Sequence, residues 1–425
     1  MKVLMLGWEL PPLYAGGIGM VCWEMIKEFS NQGIPVTYIM PMGPEEGISN
    51  DFAKEVIIAE NHKIGKAIKI GKNANIIKVP AGFHAYQSPE EYEKSYDNLI
   101  ENATNSKNKI SKNKISRSTL YGPNLFAEVD LFAKRLYNMT DDFDFDVIHA
   151  HDWMTFPAAI GIADKTGKPL IVHVHNTIYD RYLGNASNIE KDIERNGMIR
   201  ADRIIAISGY VKDMIVNKYD IDPAKIRIVH NAKNTLMEAV PDAGPINIKD
   251  KKVVLFTGRI TVQKGPEYFL YAAKKVLEKR KDVVFVMAGS GDMMSQMIRL
   301  TAELDISQNV LFTGRYNPSQ GKSLYKRADC YVMPSVSEPF GIVPLEAMAQ
   351  GAPCIISKQS GCSEVLGHVL KVDFWDTTEM AAKILSVLQY SVLNKQLKKY
   401  GLTEVNNLTW DKSIHKLLNV FGEVS

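Results

Sequence analysis

Residues 253–265 read VVLFTGRITVQKG, and this stretch decides the fold of the second half of the chain. Val253–Thr257 is a short β-branched run typical of a buried strand. The run ends in a turn that carries Arg259 and Lys264, and Lys264 immediately precedes Gly265 at the start of a helical pattern. A strand followed by a turn and a helix is the repeating unit of parallel sheets that are covered on both faces.

The same order of strand, turn and helix recurs on both sides of that stretch. Further strands are predicted at Val3–Leu6, Val36–Met40, Ile76–Val79, Val147–His151, Leu170–His175, Ile204–Ser208, Val283–Ala288, Val310–Gly314, Tyr331–Pro334 and Cys354–Ser357. Residues 232–250 carry two prolines and a glycine among polar residues and interrupt the pattern as a linker. We therefore predict an α/β protein with two Rossmann-like domains that face each other across a cleft.

The linker divides the chain into a first domain over residues 1–235 and a second domain over residues 236–401. A length of 425 residues suits two domains of about 200 residues each. The last stretch, about 402–425, spaces its apolar residues as a helix does. We predict that this helix crosses back and packs on the first domain.

Composition narrows the classes of function. A net charge of +3 gives no reason to expect a nucleic-acid partner. The four cysteines lack C-x-x-C spacing, so we expect reduced thiols, and we find neither a signal peptide nor a transmembrane run, so we expect a cytoplasmic protein. Asn105–Thr119 is rich in Lys, Asn and Ser and is predicted to be a solvated loop, with contact to an anionic membrane as the alternative.

Polar residues beyond the carboxyl ends of parallel strands are the candidates for a binding site. Arg259 and Lys264 beside a helix N-terminus suit a pyrophosphate; an arginine paired with a surface carboxylate is the alternative. Glu338 follows a strand and Glu346 lies one to two turns into the next helix, where both would accept hydrogen bonds from sugar hydroxyls unless they are merely solvated. The amides of Gly341–Val343 would face an anion.

The first domain contributes two kinds of candidate. The turn Gly16-Gly17-Ile18-Gly19 exposes amides suited to an anion, or it is a tight structural turn. His149/His151 and His173/His175 each share one face of a strand, so they form a metal cluster or, as we favour, hydrogen-bonded core histidines. Asp152 is predicted to face away from this side. The D-x-D run over 142–146 precedes its strand and is predicted to be a solvated loop at the other end of the sheet.

Taken in order, these motifs resemble a known family. G-G-I-G, H-A-H-D-W, V-H-N-A, G-R-I-x-x-x-K-G, F-T-G-R and E-P-F-G-I-V-P-L-E are similar to segments of the retaining glycosyltransferases of the glycogen and starch synthase, sucrose synthase and mannosyltransferase type. The resemblance covers nearly the whole chain. The segments W-E-L-P-P-x-x-x-G-G-I-G and H-A-H-D-W-M-T-F-P favour the glycogen-synthase-like branch.

The resemblance implies a GT-B fold, a nucleotide sugar bound mainly to the second domain, and neither a metal nor another cofactor. It implies the catalytic residues His151, Arg259, Lys264 and Glu338. It implies donor-binding roles for Gly16, Gly17, Arg259, Lys264, Arg315, Glu338, Phe340, Gly341, Ile342, Val343 and Glu346. Among these, the two cations would hold the diphosphate, Glu346 the ribose, and His151 the donor sugar near its 6-hydroxyl.

The activity so implied is a hexosyltransferase that moves a hexose, with glucose favoured, from a UDP-, ADP- or GDP-sugar to a glycan acceptor with retention, as an α-glucan synthase does. The turn Tyr14-Ala15-Gly16-Gly17 lacks the lysine of the K-x-G-G motif, which leaves a lipid-linked or small-molecule acceptor as the alternative. A sugar-nucleotide epimerase would need an acid/base pair that the sequence does not offer. A non-catalytic nucleotide-sugar-binding protein is the rival from another class.

Overall fold

The computed structural model describes residues 1–10, 17–41, 67–70, 74–79, 125–183, 188–235, 248 and 250–424. Gly16 and the predicted loop Asn105–Thr119 lie outside these residues. The strands of the first sheet are β1 (Val3–Leu6), β2 (Val36–Pro41), β3 (Ala67–Ile70), β4 (Ala74–Val79), β5 (Val147–His151), β6 (Leu170–Val174), β7 (Arg203–Ala206) and β8 (Ile226–Ile228). The strands of the second sheet are β9 (Lys252–Thr257), β10 (Val283–Ala288), β11 (Val310–Gly314), β12 (Cys330–Met333), β13 (Cys354–Ser357) and β14 (Leu370–Val372).

The two sheets have related topologies. The first sheet runs β3-β4-β2-β1-β5-β6-β7-β8, and within it β3 alone is antiparallel to its neighbour. The second runs β11-β10-β9-β12-β13-β14 with every described pair parallel, which is the 3-2-1-4-5-6 order of the Rossmann fold. The predicted α/β fold with two Rossmann-like domains is confirmed. In each sheet the strand order reverses beside the first strand, between β1 and β5 and between β9 and β12.

Helices cover both faces of each sheet. On the first domain they are α1 (Gly17–Asn31), α2 (Leu125–Met139), α3 (Phe156–Thr166), α4 (Ile178–Tyr182), α5 (Asn188–Arg200) and α6 (Gly209–Tyr219). On the second domain they are α7 (Pro266–Lys279), α8 (Met294–Glu303), α9 (Pro318–Arg327), α10 (Ile342–Ala349), α11 (Thr377–Gln389) and α12 (Ser391–Asn406), and α13 (Trp410–Gly422) ends the described chain. Proline occupies the first turn of α7 and of α9, where a backbone N–H would have no partner within the helix.

The last helix, α13, belongs to the core of the first domain. Its apolar side chains share one buried cluster with residues of β1, β2 and α1, and Phe421 stacks on Phe29 with ring centroids 6.1 Å apart. The predicted return of the C-terminal helix is therefore confirmed, but its predicted start at residue 402 is wrong. Leu402 lies in α12 of the second domain, and the returning helix begins only at Trp410. The predicted boundary at residue 235 falls between β8 and β9 and stays a prediction.

Candidate active site

The carboxyl ends of β9 and β12, at the switch point of the second sheet, bring two predicted residues into contact. Lys264 Nζ donates a hydrogen bond to Glu338 Oε2 at 2.5 Å, and Ser335 Oγ donates to the same oxygen at 3.2 Å. The side chains of Lys264 and Glu338 are 21% and 10% exposed. A charged pair so largely removed from water interacts more strongly than one on the surface. The pair is therefore held in place and still open to a ligand on one side.

Arg259 leaves the same turn and remains available for a ligand. Its Nη2 donates to Gln263 Oε1 at 3.3 Å, and Gln263 is itself buried. Arg259 forms no ion pair with any carboxylate of the described residues, which disfavours the alternative of a surface ion pair. A guanidinium that is partly buried and lacks an anionic partner is a suitable receptor for phosphate oxygens.

Glycines let the loops after β9 and β10 touch. Gly289 has φ +141°, and a Cβ at this position would lie 1.8 Å from the carbonyl oxygen of Gly258, so only glycine fits. Arg315 follows β11 at the same edge, where it is exposed and its Nε donates to Ser290 Oγ at 3.1 Å. Arg315 thus lies beside the loop after β10, and its predicted role in binding the donor stays a prediction.

Helix α10 begins at a left-handed glycine beside Glu338. Gly341 has φ +98°, and a Cβ there would lie 3.0 Å from Cys362 Sγ and 3.2 Å from Glu338 Cγ. Ile342 and Val343 form the first turn, whose amides have no partner within the helix. Phe340 is 2% exposed and packs in the apolar core, so its side chain cannot reach a ligand and only its backbone can contribute.

Glu346 lies one turn into α10 and is held by two neighbours. Asn234 Nδ2 donates to Oε1 at 3.1 Å, and Tyr325 Oη donates to Oε2 at 3.3 Å. Burial raises the pKa of Glu346 to about 7 in spite of these hydrogen bonds. Asn234 follows β8, so this contact also joins the two domains.

In the first domain, β5 and β6 bring four histidines together. His149 Nε2 lies 3.1 Å from His173 Nδ1, and His151 Nδ1 lies 2.7 Å from His175 Nε2. Burial lowers the pKa of all four, to about 3 for His149 and His175 and well below the usual value for the other two. The array is therefore uncharged at neutral pH. Both ring contacts have the length of hydrogen bonds, as the core-histidine hypothesis expects.

Three of these rings form a candidate metal site. His149, His151 and His173 each offer a nitrogen, and these atoms lie within 4.8 Å of one another. Neutral imidazole is the form that binds metals. The predicted absence of a metal stays a prediction.

The acidic residues near this array are already engaged. Asp152 has φ +57°, and its Oδ1 accepts a hydrogen bond from the backbone N–H of His175 at 2.7 Å, so it ties the loops after β5 and β6 together. Burial raises the pKa of Asp152 to about 7. The D-x-D run lies at the opposite end of the sheet, where the backbone N–H of Lys2 donates to Asp146 at 2.6 Å. The position of the D-x-D run agrees with the sequence-based expectation, whereas the expected orientation of Asp152 stays a prediction.

The start of α1 contacts Glu9, a residue that the sequence analysis did not single out. The N–H of Gly19 donates to Glu9 Oε1 at 2.9 Å, and Glu9 is 3% exposed. One amide of the predicted anion-binding turn is therefore used by the protein itself. Among the described residues, a Cβ on Gly17 would meet nothing within 4 Å. The sequence signal that could have predicted this contact is an acidic residue, Glu9, shortly before the Gly-rich turn.

Comparisons with known proteins agree with the fold. Residues 242–404 match the family model described as glycosyl transferases group 1, and residues 103–235 match that of glycosyltransferase family 4. A solved sucrose-phosphate synthase from Thermosynechococcus elongatus superposes with a TM-score of 0.73 at 17% identity, over 99% of this chain and 98% of that one. The fold is therefore that of the GT-B glycosyltransferases, and the two family models match successive parts of the chain. The glycogen-synthase-like branch stays a prediction.

The curated relatives that this chain resembles have different activities. An uncharacterized glycosyltransferase of Methanocaldococcus jannaschii is 35% identical over 53% of this chain and 60% of its own length. A D-inositol 3-phosphate glycosyltransferase of Segniliparus rotundus is 27% identical over 64% and 65%. The glycogen synthase of Mycobacterium tuberculosis is 24% identical over 86% and 80%. The chain thus spans less than two thirds of the first two relatives. Within its described residues, no helix is both long and apolar enough to cross a membrane.

Proposed function

We propose that the protein transfers a hexose, with glucose favoured, from a nucleoside-diphosphate sugar to a hydroxyl group of an acceptor, with retention of configuration and without a metal. The observation that carries this proposal is the Lys264–Glu338 pair beside the start of α10, at the switch point of the second sheet. A cation, a carboxylate and helix amides at one point match the diphosphate and hydroxyl groups of a sugar nucleotide.

The charge that develops on the leaving diphosphate is the main electrostatic demand of such a transfer. Lys264 and Arg259 would hold that charge, and the amides of the first turn of α10 would add partial positive charge. Glu338 would accept a hydrogen bond from the hexose while it keeps Lys264 in place. Glu346, with its two hydrogen-bonding neighbours, would accept from the ribose hydroxyls.

An uncharged histidine suits the sugar side of the reaction. The reacting carbon becomes cationic in an oxocarbenium-like transition state. A neutral His151 would hydrogen-bond a sugar hydroxyl through Nε2, which is buried and has no partner among the described residues, without repelling this charge. Burial lowers the pKa of His151 well below the usual range. Asp152 is buried and its Oδ1 accepts the N–H of His175, and our proposal gives this carboxylate no role as a nucleophile. We therefore favour front-face displacement, in which the acceptor oxygen bonds the sugar carbon, the phosphate oxygen leaves, and that oxygen takes the acceptor proton.

Two acceptor classes follow from the relatives. The glycogen synthase relative aligns over 86% of this chain and supports an α-glucan. The D-inositol 3-phosphate glycosyltransferase relative supports a small phosphorylated polyol. We place the glucan first because the first-domain motifs favour the glycogen-synthase-like branch. We keep the polyol as the alternative because the first Gly-rich turn lacks the lysine of the K-x-G-G motif.

A donor and acceptor matrix tests the proposal. Purified protein is incubated with UDP-, ADP- and GDP-glucose and GDP-mannose, each with maltoheptaose, inositol 3-phosphate or no acceptor, with and without EDTA. We expect nucleoside diphosphate release only with an acceptor, unchanged by EDTA, and an α-linked product by proton NMR. Thermal stabilisation by a donor without any release would instead favour a binding protein, and a β-linked product would overturn retention.

A further inference from the structure

The loop that follows β12, residues Ser335–Gly341 (the β12 loop), is held by the first domain as well as by its own. Ser208 Oγ donates to the carbonyl oxygen of Pro339 at 2.6 Å. Ser337 Oγ donates to Asp180 Oδ1 at 2.5 Å and lies 2.9 Å from Tyr210 Oη. Because the single hydroxyl hydrogen of Ser337 is used by Asp180, Tyr210 must donate in the second contact. Contacts from the first domain therefore reach residues 337 and 339, on either side of Glu338.

A second row of contacts fixes the same edge of the first domain. The Glu364 carboxylate accepts from the backbone N–H of Gly209 at 2.8 Å and of Tyr210 at 2.7 Å, at the start of α6. His230 Nε2 lies 3.1 Å from the same carboxylate. These contacts hold the pKa of Glu364 below its usual value, although burial opposes them. A carboxylate at a helix N-terminus is well placed electrostatically, so α6 has a defined position on the second domain.

The two rows are joined through the backbone of the second domain. The N–H of Gly361 donates to the carbonyl oxygen of Glu338 at 2.9 Å, and the N–H of Cys362 donates to that of Phe340 at 2.6 Å. A Cβ on Gly361 would lie 2.2 Å from the carbonyl oxygen of Pro339 and 2.5 Å from Ser208 Cβ. The contact is therefore closely packed, and the β12 loop cannot move without moving Ser208 or Gly361.

We propose that Tyr210 and Ser208 are positioning residues for the transfer: from the first domain they set the β12 loop so that Glu338 and the start of α10 meet the hexose. This inference rests on the proposed function and deepens it. The hydrogen bonds of Arg259 and Glu346 do not involve Tyr210, so we expect nucleotide binding to depend on Tyr210 less than hexose positioning does. The sugar site so proposed needs residues of both domains.

Tyr210→Phe is the sharpest test, because it removes one hydroxyl and keeps the ring. We expect kcat to fall about tenfold, the loss of one well-placed hydrogen bond, while the Kd for the nucleoside diphosphate of the active donor stays within twofold. Ser337→Ala also removes the contact with Asp180 and should cause at least as large a loss, and the double variant should be no worse than Ser337→Ala. Tyr271→Phe, on the exposed face of α7, is the matched control and should behave as the wild type does.

The outcomes separate this inference from the proposed function. If the wild type transfers from no donor, the proposed function fails and this inference fails with it. If the wild type is active and Tyr210→Phe keeps its kcat, only the inference is overturned. A loss of diphosphate affinity equal to the loss of kcat would also overturn it, because Tyr210 would then support the whole site. Thermal midpoints within 2 °C of that of the wild type will confirm that the variants are folded. A shift of that size corresponds to a loss of stability below about 1 kcal/mol.

Discussion

The two sides of the cleft are built from similar sheets but differ in charge. At the ends of β5 and β6, four histidines contact one another and burial keeps them uncharged. At the ends of β9 and β12, two cations remain beside a single carboxylate, and Arg259 has no ion pair within the described residues. The difference indicates a division of labour, in which the second domain binds the anionic part of the substrate and the first domain binds its neutral part.

Lys264→Ala should break this comparison most severely. Removing the ammonium leaves the diphosphate without its nearest point charge and leaves Glu338 unpaired. We expect kcat/KM to fall by about three orders of magnitude, the upper range for loss of one transition-state contact. Diphosphate release from the active donor measures it. Lys279→Ala, at the exposed end of α7, is the control, and a Lys264→Ala protein within threefold of the wild type would refute the assignment.

His151→Ala tests the neutral side. The change removes a hydrogen-bonding group without altering the charge of the cleft, so we expect kcat to fall about 100-fold through misplacement of the sugar. The Kd for the nucleoside diphosphate, measured by calorimetry, should be nearly unchanged. The exposed His415→Ala serves as the control. An equal effect on diphosphate affinity would mean that the two sides do not divide the substrate as proposed.

Glu346→Gln sharpens the comparison through pH. Burial raises the pKa of Glu346 to about 7 in the folded protein, so folding favours the protonated form and stability falls as pH rises from about 4.5 through 7. Glutamine removes this dependence. We expect the variant to be more thermally stable than the wild type at pH 8 and equal to it at pH 4.5.

The same variant should bind the donor about tenfold more weakly, because an amide oxygen replaces a carboxylate as the acceptor for ribose hydroxyls. Calorimetry with the active donor measures this loss. A variant that gains no stability at pH 8 relative to pH 4.5 would contradict the raised pKa, whereas unchanged donor affinity would contradict the ribose role alone.

Gly341→Ala has the smallest expected effect. Gly341 and Gly351 flank α10, and both have positive φ, but a Cβ on Gly351 would meet nothing within 4 Å. Alanine at either position should cost about 1–2 kcal/mol for the left-handed backbone. Chemical denaturation should show a further loss at Gly341 from its contacts with Cys362 and Glu338. Equal losses at both positions would mean that the start of α10 has room to adjust.

The sequence was most informative where patterns are long. Buried runs such as Val253–Thr257 predicted the strands of both sheets, because a fully buried parallel strand needs continuous apolar residues. The edge strands β8 and β14 were missed, since three residues are too few to show a period. The start of the last helix was misplaced because α12 and α13 have the same helical spacing, and only the change of domain between them separates the two.

The candidate site, like the fold, could be predicted from the sequence only in part. Lys264 and Glu338 could be predicted to share a ligand, since both follow parallel strands, but not that they would contact each other. The roles of Tyr210 and Asp180 could not be predicted, because they arise from packing between domains that are far apart in sequence. The burial of Phe340 was likewise invisible, since a motif does not say which of its side chains faces the core.

The return of α13 to the first domain also bears on how the protein is made. The apolar cluster that contains Val3 and Met5 includes Trp410, Ile414 and Phe421. Translation at about 5–20 residues per second reaches these positions roughly 20–80 s after the first strand leaves the ribosome. During that time the face of the first sheet that they cover is exposed. A ribosome-bound chain truncated before Trp410 should therefore be a client of chaperones and a target of proteases, whereas one that includes residues 410–422 should be protected.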